Sequence, residues 1–198
     1  MFEFTRNVLL SGQFKIDKGG VVLLGQPISL LPTATFAEMT KRLIEDGEAT
    51  TIYRAAMYGI PPFVQALKQR HVLELQPMVK ILAQISYTAG WGEMKLVEYK
   101  DKEHRYVFTT VGAPITKMLK MSKEVCHIMR GLIVGSMREI INDQTLECIE
   151  TKCMARGAPL CQFIVQPKKS FDPAMLREFG WQIEGKKSAG KVAEKKKK

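Results

Sequence analysis

Hydrophobic spacing changes period several times along the first half of the chain. Phe14 and Ile16 alternate with polar neighbours, Asp17-Lys18-Gly19-Gly20 makes a turn, and Val21 to Leu24 resumes, which predicts a β-hairpin within residues 13–31. After Leu30-Leu31-Pro32 the spacing becomes helical. Phe36, Met39, Leu43 and Ile44 share a side, Thr35 and Glu38 have the spacing of a capping box, and Gly47 ends the run. A second helix is read through Ala49, Ile52, Tyr53, Ala56, Met57 and Ile60, broken or kinked at Pro61-Pro62 before Phe63, Val64 and Leu67 continue it. A third carries Leu75, Met78, Val79, Leu82 and Ile85.

Beyond Trp91-Gly92 the segments Glu93 to Lys100 and Arg105 to Val111 read as a strand pair joined by a charged turn. A further helix is expected from about Ser122 to Asn142. It is apolar nearly all round from Val125 to Met137, with Gly131 and Gly135 four apart on one face. Glycine inside a helix costs about 1 kcal/mol relative to alanine, so this pair predicts a backbone, a sheet or a symmetry mate packed closely against it. A strand near Thr145 to Lys152, a turn over Met154 to Pro159 and a strand near Leu160 to Val165 complete the pattern. Helices with an antiparallel sheet give an α+β class. Residues 1–166 are expected to form a single domain, with a short helix and a basic, disordered tail in 167–198.

Composition adds exclusions. The 198 residues are 45% hydrophobic and 25% charged, and no apolar run approaches the roughly 18 residues of a membrane span. The first residues lack the pattern of a secretory signal, so the expected location is cytoplasmic. Of the net charge of +10, residues 167–198 supply +6, from ten Lys or Arg against four Asp or Glu. This predicts at most weak, nonspecific attraction of the tail to nucleic acid or anionic membrane. Gly185, Gly190 and Lys191 imitate part of a phosphate loop. Val192 stands where Ser or Thr would bind magnesium, and the flanking strand and helix are missing from the pattern.

All four cysteines lie between residues 126 and 161. In a reducing compartment such clustering favours metal over disulfides. If a hairpin closes after Cys153, then Cys153 and Cys161 face each other at its mouth, and Glu150 and Cys126 complete a set of ligand types that zinc accepts. Glu150 and Cys153 are an odd number apart, so a bulge or a strand end is required to bring them to one face. Four small residues of a reduced core are the competing account. Cys148 is a bystander by spacing, His127 a reserve ligand, and His71 and His104 are read as surface residues.

Cys126, Gly131, Gly135, Glu150-x-x-Cys153, the Ala155-x-Gly157 turn and Cys161 together resemble the 4-vinyl reductase domain family. The core of the resemblance covers 122–165, and weaker similarity extends over about 20–165. It implies a fold related to TRAPP trafficking subunits and, as in the sensor members, structural zinc on Cys126, Glu150, Cys153 and Cys161 beside an apolar pocket. Cys126 stands one residue farther from Glu150 than in those members, which implies an insertion near 142–144. The function so implied is a binding module for a small apolar or aromatic ligand. Tyr53, Met57, Tyr58, Trp91, Phe108 and Met129 are the candidate lining, and a homodimer through the glycine-bearing helix and a separate output partner are expected. A dimeric scaffold without ligand and a metal-dependent enzyme are the alternatives. An enzyme is not expected, because no dinucleotide fingerprint or nucleophile and base pair is present and a zinc with four protein ligands is closed.

Overall fold

The computed structural model describes residues 14–17, 19–70 and 74–185. Three short strands, β1 (Phe14–Asp17), β2 (Gly20–Leu23) and β3 (Gln26–Ile28), form an antiparallel meander, so the expected hairpin gains a third strand. Leu24, at the turn between β2 and β3, is buried against Leu67 and Met78.

Helix α1 spans Thr33–Glu45 and α2 spans Ala49–Gly59. The capping box does not form: α1 starts directly after Pro32, two residues before Thr35, and Glu38 bonds Arg42 along the helix surface at 2.8 Å. Gly47, at φ 81°, closes α1 with bonds from Glu48 N–H to the Leu43 carbonyl and from Gly47 N–H to the Ile44 carbonyl, the arrangement of a Schellman cap. Pro61 and Pro62 open a separate helix α3 (Pro61–Arg70), as their missing N–H groups permit in a first turn. Helix α4 (Leu75–Thr88) then leads to the sheet.

The main sheet contains β4 (Glu93–Lys100), β5 (Arg105–Val111), β6 (Leu146–Lys152) and β7 (Cys161–Pro167), antiparallel in the order β4-β5-β7-β6. Alternation puts Tyr106, Phe108, Cys148, Phe163 and Val165 on one face, in the principal core. The opposite face presents Val107, Ile149 and Ile164 to Phe171, Phe179 and Ile183. Those last three come from the segment containing α7 (Pro173–Phe179) and α8 (Trp181–Glu184), so the folded region runs well past the expected boundary at 166. A short helix α5 (Pro114–Met118) was not signalled by any periodicity.

Helix α6 (His127–Ile141) starts later than the expected Ser122 and lies between the sheet and α2. A Cβ at Gly131 would sit 2.3 Å from the Tyr53 carbonyl oxygen, and one at Gly135 would sit 2.4 Å from that of Met57. The close neighbour implied by the two glycines is therefore the backbone of α2 within the same chain. This corrects the expectation of a dimer surface there, because the face in question is already covered. Among the described residues no helix is long and apolar enough to cross a membrane. His71 and the tail beyond Gly185, including the phosphate-loop imitation, lie outside the described residues.

Candidate metal centre and the adjoining cavity

The register of β6 against β7 slips between Glu150, opposite Phe163, and Lys152, opposite Gln162, leaving Thr151 as an extra residue. A bulge of this kind reverses the alternation beyond it. Cys153 thereby returns to the face that carries Glu150, which is the irregularity the spacing required. The chain then folds over a 3-10 turn (Met154–Arg156), with the N–H groups of Arg156 and Ala158 both donating to the Cys153 carbonyl, and comes back to Cys161 at the start of β7. Cys126 arrives from the other side as the residue preceding the first turn of α6. An ion pair between Arg156 in the turn and buried Glu124 ties the two approaching segments together.

The four side chains are buried, and their ligand atoms all lie within 4.8 Å of one another. Cys126 Sγ and Cys161 Sγ are 3.6 Å apart. Tetrahedral zinc with Zn–S bonds of about 2.3 Å sets its sulfurs about 3.8 Å apart, so this pair already has nearly the right separation. The Cys126 N–H donates to Glu150 Oε2 at 3.0 Å, and the Met154 N–H donates to Cys161 Sγ at 3.3 Å. Glu150 Oε1 is buried with no hydrogen-bond partner. A buried carboxylate oxygen left without a donor is costly, and a cation among three thiols would satisfy it. The donor set thus fits zinc. Thiol hydrogen bonds from Cys126 and Cys161 draw the Cys153 pKa down to about 2. Hydrogen bonding to Cys153 raises that of Cys126, and burial raises that of Glu150.

His127 stands outside this cluster. Its Nδ1 accepts from Arg130 at 2.8 Å, and its ring meets Trp181 edge-on. Cys148, on the same face of β6, is also buried and apart from the four. His104, read as a surface residue, is part-exposed and bonds Asp143 through Nδ1 at 2.6 Å.

Among the described residues the outer edge of β6 has no strand partner, yet it is buried and sealed by side chains. Arg138 donates to the Leu146 carbonyl. The Cys148 N–H donates to the Tyr53 hydroxyl at 3.2 Å, and Arg130 Nη1 donates to the Cys148 carbonyl at 2.7 Å. The Gln182 amide takes both groups of Glu150: its Oε1 accepts the N–H and its Nε2 donates to the carbonyl, each at 2.9 Å. The guanidinium of Arg130 also lies 4.3 Å from the centre of the Tyr53 ring and donates to the Gln182 carbonyl. None of these roles was read from the sequence. The arginine at position 130, inside the apolar stretch of α6, was the one available sign of a buried polar network.

A cavity of about 90 Å³ lies beside this network, between α4, α6 and the sheet. Its lining is apolar except for Ser86 and Ser136, and includes Phe63, Leu82, Met94, Phe108, Met129 and Ile133. Of the six pocket residues expected, Phe108 and Met129 line this space. Trp91 lies instead beside a much smaller gap, near Phe36 and Cys126. Met57 is buried between α2 and α6. Tyr53 spends its hydroxyl on Cys148 and Glu147, and Tyr58 points away from the core with 68% of its surface exposed. The error at Tyr58 comes from helical phase: it is on the opposite side of α2 from Tyr53 and Met57.

Residues 107–167 match the family model of the 4-vinyl reductase domain, the family to which the segment 122–165 shows its resemblance. The fold is similar to that of the phenol-responsive sensory domain of the transcription activator PoxR, solved with phenol. The TM-score is 0.72 at 14% identity, covering 90% of this chain and 95% of that one. It also resembles a trafficking protein particle complex subunit 3 from Naegleria fowleri covalently bound to palmitic acid, at a TM-score of 0.53 and 12% identity, over 69% and 92% of the two chains. A vinyl-4-reductase family protein from Methanocaldococcus jannaschii is a more distant likeness, at 0.48 and 15%, over 71% and 83%. No curated protein matches the chain.

Proposed function

We propose that this chain, which carries a 4-vinyl reductase domain over residues 107–167, is a cytoplasmic sensory or regulatory module that binds a small, uncharged apolar or aromatic molecule. The observation that carries the reading is the cavity of about 90 Å³, apolar but for two serines, set against the helix that starts at Cys126. An engineered apolar cavity of about 150 Å³ admits benzene, so this space is of the order needed for one small ring after slight side-chain movement. Met94, Met129 and Met137 in its lining are adaptable enough to supply that movement. The similarity to a phenol-responsive sensory domain supports the same class of ligand.

Zinc held by Cys126, Glu150, Cys153 and Cys161 is the structural half of the proposal. Three thiolates and a carboxylate would close its coordination, so it would pin the β6–β7 turn to the start of α6 without activating water. A catalytic role is not proposed for it. Signalling would pass to a separate protein partner.

The similarity to a palmitate-bearing trafficking subunit raises a second reading, a scaffold with an acyl chain inside. The cavity volume disfavours it. Calorimetric titration with phenol, toluene, benzoate and palmitate separates the two. The sensory reading expects saturable binding of phenol or toluene and none of palmitate. Palmitate alone, or no ligand in the series, would overturn it.

A further inference from the structure

We infer that Gln182 is a positioning residue for the metal site: its side-chain amide replaces a fifth strand beside β6 and fixes the backbone from which the Glu150 carboxylate is presented. The inference rests on the proposed metal reading and adds to it a residue from a distant part of the chain.

Glu150 sits immediately before the bulge at Thr151, where the ladder to β7 is interrupted. A strand anchored on one side only would be free to shift at that point, and the carboxylate would shift with it. Gln182 removes this freedom because a single planar amide holds both outward groups of residue 150, at 2.9 Å each. The pairing copies what a neighbouring strand would supply.

Gln182 is itself fixed. It is fully buried, and its carbonyl accepts from Arg130 Nη2 at 2.9 Å, while Nη1 of the same guanidinium holds the Cys148 carbonyl. Arg130 is one helical turn beyond Cys126, and its N–H donates to the Cys126 carbonyl. The helix bearing one ligand and the strand bearing another are therefore joined through two side chains that touch neither the carboxylate nor a thiol. Only an amide of this length serves: glutamate lacks the donor, and leucine lacks both groups. By reciprocity of coupled equilibria, metal binding also strengthens docking of the segment 173–184.

The test uses the full chain and zinc alone, in competition with a chromogenic chelator. Wild type, Gln182→Ala, Glu150→Ala and the double variant are compared. Gln182→Ala is expected to bind zinc about tenfold more weakly, the usual scale for residues that orient a ligand, and to cost nothing further once Glu150 is alanine. Unchanged affinity, or an equal loss in both backgrounds, overturns the inference. If Gln182→Ala does not fold, trypsin cleavage at Arg177 of the wild type decides: slower cleavage with zinc than with chelator supports the coupling, and equal rates overturn it. Zinc binding by wild type with Gln182→Ala unaffected removes only this inference. No binding by wild type removes the metal reading and this inference with it.

Discussion

The backbone N–H of Cys126 donates to Oε2 of Glu150 at 3.0 Å and leaves Oε1 of the same carboxylate buried without a partner. One oxygen thus orients the side chain and the other is free for a cation. Glu150→Gln preserves an acceptor for the Cys126 N–H but replaces the anionic donor with a neutral amide. Its zinc affinity is expected to fall about tenfold or more, with little change in the circular dichroism of the metal-free protein. Chelator competition measures the first and spectroscopy the second.

Gly131→Ala and Gly135→Ala should each destabilise the protein despite alanine's better helix propensity. The new methyl would lie against backbone oxygens of α2, at 2.3 Å and 2.4 Å, and backbone cannot rotate away as a side chain can. Overpacking at such a contact costs about 3 kcal/mol, against about 1 kcal/mol gained in propensity. Thermal melts should show a drop of several degrees in each variant.

Tyr53→Phe tests the sealed edge of β6. It removes the acceptor for the Cys148 N–H and the donor to Glu147, leaving buried groups unpaired at a cost of about 1–3 kcal/mol. Urea unfolding should register that loss. Zinc content should stay at the wild-type level, because Tyr53 bonds neither Glu150 nor a ligand thiol.

Asp143 gives a pH signature away from the metal. Burial raises its pKa, but hydrogen bonds from the Thr145 side chain and backbone and from His104 outweigh this and hold it at about 2, below the ordinary 3.8. A depressed carboxylate stabilises the fold above the unfolded pKa and loses that contribution as pH falls through the folded one. The difference in melting temperature between wild type and Asp143→Asn should therefore be full near neutrality and shrink as pH falls from about 4 toward about 2. A difference that persists unchanged at acid pH would contradict this account.

Local pattern made much of the fold legible. Alternation between polar and apolar positions placed β4 and β5 at the bounds that the structure has, and Gly131 and Gly135 announced a close backbone approach, though not its source. The spacing of Glu150 and Cys153 even required the bulge found at Thr151. What stayed hidden depends on contacts between distant segments. Gln182 and Glu150 are 32 residues apart, and Tyr53 and Cys148 are 95, with no periodicity linking either pair. The cavity was hidden for the same reason. Its walls come from α3, α4, the sheet and α6 together, so helical phase alone selected Phe108 and Met129 correctly as lining while also suggesting Tyr53 and Tyr58.

Metal analysis of the purified chain after dialysis, paired with a thermal melt before and after chelation, tests the zinc clip most directly. About one zinc per chain is expected. Its removal should lower the melting temperature by about 10 °C if metal is present at about a thousandfold over its Kd, a contribution of about 4 kcal/mol. Less than about half an equivalent of zinc, or a melt that chelation leaves unmoved, would contradict a structural metal at Cys126, Glu150, Cys153 and Cys161.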